Sequence, residues 1–164
     1  MQCRGRTVVT AMLVGLLPLS VGCKRQMSAS PASPGDAHAE AGWNAFERGD
    51  YATAIEELER AIALDGTVEG LEPVDLWLTL GMCCEKEERL DDAVSAFEGA
   101  VGRAPERAYA WAWLGKVYER QGRFDKARDA YAKALAIDPD QHMALNNLGL
   151  LEVFNGSPAE AASL

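Results

Sequence analysis

The chain has 164 residues and a net charge of −9, from 16 Lys and Arg against 25 Asp and Glu. Alanine is the commonest residue with 27 copies, whereas Ile has 3 and Val 10, and this balance favours helices over sheets because Ala enters a helix most readily. An acidic chain without a basic block is a poor nucleic-acid binder, since that affinity depends on Lys and Arg neutralising phosphates. The 4 Cys are too few for a disulfide scaffold.

Residues 1–22 have the form of a secretory signal peptide. Arg4 and Arg6 precede an uncharged run of 16 residues, 7–22, which is shorter than the about 20 apolar residues that a membrane span needs. The run ends in Leu-Ser-Val-Gly-Cys at residues 19–23. This ending resembles the lipobox of bacterial lipoproteins.

The lipobox resemblance implies a lipid anchor on Cys23. The chain would be cut after Gly22, and Cys23 would carry a diacylglyceryl thioether and an acylated amino group, so that several acyl chains hold the protein stably. Lys24 follows the Cys, and in enterobacterial lipoproteins a residue other than Asp at this place directs the protein to the outer membrane. We therefore expect a protein of the bacterial cell envelope, anchored in the outer membrane and facing the periplasm. The alternative is an uncleaved anchor, or an ordinary signal with a chance Cys.

Residues 23–36 are predicted to comprise the lipidated Cys and a flexible linker, because Ser, Pro and Gly are frequent there and apolar residues are rare. As a flexible coil, residues 24–36 would span about 20 Å. Loss of Arg4 and Arg6 with the signal takes the net charge from −9 to −11. Anionic headgroups would repel such a body, so membrane association should depend on the lipid.

Residues 37–164 contain an internal repeat. Gly81, Gly115 and Gly149 are equally spaced along the sequence, and each follows a Leu. The fullest unit is 108–141, and its repeated positions are Trp111, Leu114, Gly115, Tyr118, Gly122, Ala127, Tyr131, Ala134 and Pro139. A weaker unit precedes these, with Gly66 where the later units have Pro. Repeated positions with small side chains let the helices approach closely, and repeated positions with large side chains fill the space between them. The Pro of each unit ends its second helix.

This pattern resembles the tetratricopeptide repeat, a helix–turn–helix unit of about 34 residues. The resemblance implies an all-α fold, a solenoid of helical hairpins with about three and a half repeats, at about 35–68, 74–107, 108–141 and, in part, 142–164. First helices are predicted at 37–48, 74–87, 108–121 and 142–155. Second helices are predicted at 51–64, 90–103, 124–137 and 158–163.

No catalytic arrangement is visible, so we expect a protein that is not an enzyme and that holds no metal and no cofactor. His38 and His142 have no paired carboxylate or Cys at ligand spacing and are interpreted as surface residues. Cys83 and Cys84 are expected to be buried free thiols, with a redox role as the alternative, because two thiols do not make a zinc site. The acidic run 85–88 is interpreted as a solvated helix end.

In the family that the repeats resemble, the first helices line a concave groove that suits an extended peptide or a partner helix. The matching positions form an aromatic and apolar set with three cations: Trp43, Phe46, Leu78, Met82, Lys86, Tyr109, Trp113, Lys116, Arg120, Asn146, Asn147, Leu150 and Phe154. The alternative is that several of them only pack inside a tight superhelix. The Lys/Asn/Arg clamp by which chaperone-binding members hold a C-terminal carboxylate is not reproduced.

The end of the sequence predicts an interaction surface. Ser157, Pro158 and Glu160 form a helix start close to the last residue, Leu164, and repeat arrays need polar capping repeats. We therefore expect an uncovered apolar surface, the open end, which joins a second copy or a partner helix. Its expected members are Leu148, Leu151, Val153 and Phe154. A truncated product is the alternative.

These features predict a non-enzymatic scaffold for protein–protein interactions, a lipid-anchored periplasmic adaptor that assists assembly of an envelope complex. Its partners would be other proteins, held as a peptide or helix in the groove, and the membrane through the lipid, but not nucleic acid. A fixed structural subunit of one envelope complex and an accessory subunit of an enzyme are the two alternatives.

Overall fold

The structure of the protein, a computed structural model, describes residues 33–155. These residues form seven α-helices and no strand, as the all-α prediction requires: α1 (Pro34–Glu47), α2 (Tyr51–Ala63), α3 (Pro73–Lys86), α4 (Leu90–Arg103), α5 (Ala108–Arg120), α6 (Phe124–Ile137) and α7 (His142–Asn155). From α2 onwards the bounds agree with the predicted ones to within one residue. The signal peptide, Cys23, most of the linker and the predicted helix at 158–163 lie outside the described residues.

Helix α1 begins three residues earlier than predicted, so residues 34–36 belong to the helix and not to the linker. Ser33 caps the helix, since its hydroxyl accepts a hydrogen bond from the backbone N–H of Asp36 at 3.1 Å, and Pro34 occupies the first turn, where its missing N–H does no harm. The Asp36 carboxylate in turn accepts bonds from the backbone N–H and the hydroxyl of Thr67, at 2.7 and 2.8 Å. These bonds with Thr67 hold the pKa of Asp36 below its usual range.

A close backbone contact fixes the start of α1 on the loop that follows α2. A Cβ atom added to Gly66 would lie 2.1 Å from the carbonyl oxygen of Gly35, and one added to Gly35 would lie 2.7 Å from the carbonyl oxygen of Leu64. Only residues without a side chain fit at both places. This contact explains why Gly66 stands where the later repeats have Pro.

The repeated glycines are the places where a second helix lays a large side chain on the backbone of a first helix. A Cβ atom on Gly81 would lie 2.7 Å from the ring of Phe97, and one on Gly115 would lie 2.6 Å from the ring of Tyr131. Both rings are fully buried. In the first repeat Leu58 occupies the same place against Gly42. Around Gly149, by contrast, no atom of the described residues comes within 4 Å of such a Cβ.

The helices stack in chain order as antiparallel hairpins, in which α3 and α5 each pack on the second helix of their own repeat and on that of the repeat before it. First helices also contact each other, α1 with α3 and α5 with α7, so they form the inner layer of the stack. The core between the layers consists of small and branched side chains around the buried rings of Phe97 and Tyr131, and Ala54, Ala93 and Ala127 are fully buried at equivalent positions of the three repeats. None of the described helices is long and apolar enough to cross a bilayer.

Candidate partner-binding groove

The inner layer begins with an aromatic cluster on α1. The rings of Trp43 and Phe46 have centroids 5.8 Å apart, and Tyr51, at the start of α2, lies 6.3 Å from Phe46. The indole Nε1 of Trp43 donates to the carboxylate of Glu47 at 2.9 Å. Trp43 and Phe46 are half-buried, so their rings contact the first hairpin and are also partly exposed.

A second aromatic cluster connects the second and third repeats. Trp113 of α5 stacks on the buried ring of Phe97, with centroids 5.7 Å apart and planes at 14°. The ring of Tyr109 meets Trp113 edge-on at 5.9 Å, and Tyr109 is 45 % exposed. Lys116 places its Nζ atom 4.4 Å from the centroid of the Trp113 ring, within the range of a cation–π contact.

The indole nitrogen of Trp113 is buried and has no hydrogen-bond partner within residues 33–155. Such a donor is uncommon in a folded protein because leaving it unpaired costs free energy. Within residues 33–155 the Trp113 ring is held by its contacts with Phe97, Tyr109 and Lys116.

A charged cluster links α3 and α5 one helical turn further along the groove. The carboxylate oxygen Oε1 of Glu85 accepts from Arg120 Nη1 at 2.8 Å and lies 3.2 Å from Lys116 Nζ. Arg120 also donates to the backbone oxygen of Glu85 at 3.0 Å and pairs with Glu88. Glu85 is only 5 % exposed. We call these four residues the Glu85 cluster.

The Glu85 cluster determines the protonation of its central carboxylate. Burial by itself raises the pKa of Glu85, but the hydrogen bonds and charges of Lys116 and Arg120 outweigh this effect and hold the pKa below its usual range. Glu85 is therefore ionised at neutral pH. Together with Glu88 it balances the charges of Lys116 and Arg120, which are two of the three predicted groove cations.

Three predictions about this region are wrong. Leu78 is not a lining residue, because its side chain is buried in the core. Leu151 is not part of an open surface, because it continues the buried face of α7 that starts at Ala144. The run 85–88 is not simply a solvated helix end, since its first residue is the buried centre of an ion-pair cluster.

The other predicted lining residues differ in how open they are. Met82 is half-buried, whereas Lys86 and Leu150 are exposed. Asn146 is exposed and its amide donates to the side-chain oxygen of Asn147 at 3.2 Å. The side chain of Phe154 lies outside the described residues.

Asn147, one of the predicted lining residues, also connects helices. Its amide donates to the hydroxyl of Tyr131 at 3.1 Å, and that hydroxyl donates to Glu119 at 2.9 Å. The chain of bonds therefore ties α7 to α6 and α5. Of the predicted open end, Leu148 is half-buried against the core and Val153 is exposed.

Sequence reasoning missed two pairings across repeats or helices. His38 does have a paired carboxylate, since its Nδ1 lies 2.6 Å from Glu57 Oε2, and that contact holds the pKa of Glu57 below its usual range. The other is Glu85: the period places Glu85, Lys116 and Arg120 on the first helices of consecutive repeats, but it does not show that their side chains meet.

The two described cysteines are buried free thiols, as predicted. Burial raises the pKa of Cys83 to about 12 and that of Cys84 to about 11. Neither residue therefore forms the reactive thiolate at neutral pH. In the part of the chain that the structure describes, no group of His, Cys, Asp and Glu is arranged to hold a metal ion.

The stacked hairpins and their aromatic inner layer define the class of this protein as a helical-hairpin repeat array. A family model described as tetratricopeptide repeat matches residues 39–105 and 86–142, which together make up more than half of the chain. The chain therefore belongs to the tetratricopeptide repeat family. Its fold is the one that the sequence period predicts. The search of the curated proteins found no match to the chain.

Solved structures share the fold. MamA is 27 % identical with a TM-score of 0.68, and the match covers 79 % of this chain and 73 % of MamA. YrrB, described as a tetratricopeptide repeat protein with an unusual peptide-binding site, is 23 % identical with a TM-score of 0.66, over 78 % of this chain and 63 % of YrrB. The second such domain of human RPAP3, in complex with an HSP70 peptide, is 21 % identical with a TM-score of 0.62, over 72 % of this chain and 98 % of that domain.

Proposed function

We propose that this protein is a non-enzymatic scaffold, anchored by a lipid on Cys23 in the bacterial outer membrane, that holds a segment of a partner protein in its groove while an envelope complex is assembled. The observation that carries the proposal is the row of partly open aromatic and apolar side chains on the inner helices. Trp43, Phe46, Met82 and Tyr109 all belong to this row.

The chemistry of the groove favours an apolar segment of the partner. Aromatic rings supply a large contact area with little loss of conformational freedom, and partly exposed rings are enriched where proteins bind each other. Lys116 and Arg120 are already paired with Glu85, so a ligand carboxylate would have to displace a buried ion pair. Two of the family structures, YrrB and RPAP3, are described with a peptide site or a bound peptide, which is consistent with a peptide in this groove.

A photo-crosslinking experiment tests the groove. A benzophenone amino acid placed at Tyr109, which is nearly half exposed, should capture a protein in envelope membranes on illumination. The matched control places the same group at Ala132, an exposed position on the outer helix α6, and should capture much less. Equal capture at the two positions contradicts the proposed groove.

The number of captured partners separates the scaffold from its main alternative. Several proteins captured at low yield support an adaptor, whereas one protein captured at a yield near one to one supports a fixed subunit of one complex. A peptide taken from the captured protein should bind equally well with a free or an amidated C-terminus. A strong preference for the free acid contradicts the argument from the Glu85 cluster.

The lipid anchor has its own test. The Leu-Ser-Val-Gly-Cys segment at 19–23 supports it. Cells fed with labelled palmitate should label the wild-type chain, and the Cys23→Ala variant should carry no label. Equal labelling of the two chains contradicts the anchor. A Cys3→Ala variant is the matched control, because Cys3 lies in the predicted signal and should not affect labelling.

A further inference from the structure

The α1 end of the groove is both acidic and aromatic, and we propose that it binds a Lys or Arg side chain of the partner segment. The ring of Trp43 carries the cationic group, and the carboxylates of Glu40 and Glu47 pair with it. We call these three residues the α1 site. The inference rests on the proposed function, because it names the chemistry of the segment that the same groove holds.

Two carboxylates lie beside the Trp43 ring on α1. Glu40 precedes Trp43 by three residues and Glu47 follows it by four, so both are its neighbours on one face of the helix. The indole Nε1 of Trp43 donates to Oε1 of Glu47 at 2.9 Å, which holds this carboxylate at the edge of the ring. Trp43 and Glu40 are half-buried, and Glu47 is exposed. A cation on the ring would therefore lie between two carboxylates.

Trp43 differs from the other tryptophans in the charge beside its ring. An indole face attracts cations more strongly than the other aromatic side chains do. The other three tryptophans each have a cation of this chain at 4.2–4.4 Å from a ring centroid: Trp77 with Arg103, Trp111 with Lys133, and Trp113 with Lys116. Within residues 33–155 the charged neighbour in contact with Trp43 is the carboxylate of Glu47. A partner side chain can supply at Trp43 the cation that this chain supplies at the others.

The distribution of charge along the array directs a cationic residue to α1. Residues 34–75 contain 11 Asp and Glu against 2 Arg, whereas residues 76–155 contain 13 Asp and Glu against 10 Lys and Arg. At the position that Glu47 has on α1, α3 has Lys86 and α5 has Arg120, so the groove becomes cationic away from α1. Complementary charges attract a partner and fix its register. The basic residue of the segment should therefore lie at the α1 site.

Selection from a library of short random peptides displayed on phage tests the proposal, with the full chain immobilised in detergent. Wild type should enrich peptides that combine apolar residues with Lys or Arg. The double variant Glu40→Gln/Glu47→Gln should enrich apolar peptides without the basic residue, and its new amide at position 47 can still accept the bond from the Trp43 indole. The matched control Glu56→Gln/Glu59→Gln removes the same charge from exposed positions of α2 and should select as wild type does.

The outcomes separate this inference from the proposed function. Enrichment of apolar peptides without Lys or Arg by wild type leaves the groove in place and overturns the inference. If wild type enriches no peptide, the proposed groove itself is wrong and the inference falls with it. An equal loss of Lys and Arg in the α2 control also overturns the inference, because the overall charge of the chain would then attract the basic residue.

The affinity of one selected peptide provides a second measurement. Replacing its Lys or Arg by Gln should weaken binding to wild type about three- to tenfold, as expected for one exposed ion pair together with a cation–π contact. The same replacement should hardly change binding to Glu40→Gln/Glu47→Gln. A loss of equal size with both chains overturns the proposal, because the basic residue would then bind elsewhere.

The competing occupant is the chain's own segment before α1, which contains Lys24 and Arg25. The variant Lys24→Ser/Arg25→Ser should bind the selected peptide as tightly as wild type does, since the proposal leaves the α1 site to the partner. A several-fold gain in affinity would assign the α1 site to this segment and overturn the proposal.

Discussion

At the scale of single residues, Glu85 shows how a buried charge is tolerated in this fold. Its carboxylate is removed from water, but it gains two cationic partners from α5 and its backbone oxygen accepts a further bond from Arg120. Removing one partner from such a group costs more than the pair itself contributes, because the remaining charges lose their compensation. The cluster is therefore a sensitive point of the contact between the second and third repeats.

Glu85→Gln should reduce the free energy of unfolding by about 2 kcal/mol, since hydrogen bonds to charged groups each contribute about 1.5–3 kcal/mol. Urea unfolding followed by circular dichroism measures this change. Glu88→Gln is the matched control, because the Glu88 side chain is 73 % exposed and exposed pairs contribute about 0–1 kcal/mol. Equal losses in the two variants would contradict a special role of the buried carboxylate.

Stability should also fall in acid for the same reason. The pKa of Glu85 is lower in the folded chain than its usual 4.5, so the folded state binds fewer protons than the unfolded state around this pH. The stabilisation by Glu85 is therefore complete above pH 4.5 and is lost as the pH falls through the lowered value. The pKa of Glu57 is lowered by His38, so the stabilisation by Glu57 should also be lost in acid.

The measurement is the urea midpoint of wild type and Glu85→Gln from neutral pH down to about pH 3. The difference between the two chains should be constant at neutral pH and should shrink below pH 4.5. A difference that grows as the pH falls would mean that Glu85 is protonated more easily in the folded chain, contrary to its pairing with Lys116 and Arg120.

At the scale of helices, the glycine column decides how closely a hairpin can pack. An Ala at Gly81 would place its Cβ 2.7 Å from the ring of Phe97, and that ring is fully buried. Overpacking of this kind costs about 1–3 kcal/mol, which exceeds the about 1 kcal/mol that Ala gains over Gly in a helix. Gly81→Ala should therefore lower the melting temperature.

Gly102→Ala is the control for the same pair of helices. Nothing lies within 4 Å of a Cβ at Gly102, so this variant should gain helix propensity without a clash and should melt at or above the wild-type temperature. The two variants, both in the α3–α4 hairpin, should therefore change the melting temperature in opposite directions. Two variants that both raise the melting temperature would show that the Phe97 ring can move aside.

The helices could be predicted from the sequence because their ends depend on local signals that recur in each repeat. The exception is α1, whose first turn is fixed by Thr67 and Gly66, which are distant in the sequence. The groove was predicted less well because it too depends on contacts between residues that are distant in the sequence. The position of a residue within the repeat shows whether it lies on an inner helix. The burial of Leu78 and the pairing of Glu85, however, depend on how closely α3 and α5 approach each other.

At the scale of the whole molecule, acidity and lipidation have to be considered together. The chain that remains after the predicted cleavage has a net charge of −11, since the −9 of the full sequence loses Arg4 and Arg6, so an anionic bilayer repels it. Lys24 and Arg25 directly after the predicted anchor attract the surface by only about 1 kcal/mol each. Acyl chains contribute about 0.8 kcal/mol for each buried CH₂ group, so they should dominate membrane binding.

We therefore expect the wild-type protein to stay in the membrane fraction through a high-salt wash and to be released by detergent. A chain that starts at Lys24 should float with neither neutral nor anionic vesicles, at low or high ionic strength, because salt only weakens interactions between exposed charges. Release of the wild type by salt alone, or binding of the shortened chain to anionic vesicles at low salt, would show that charge rather than lipid holds the protein at the membrane.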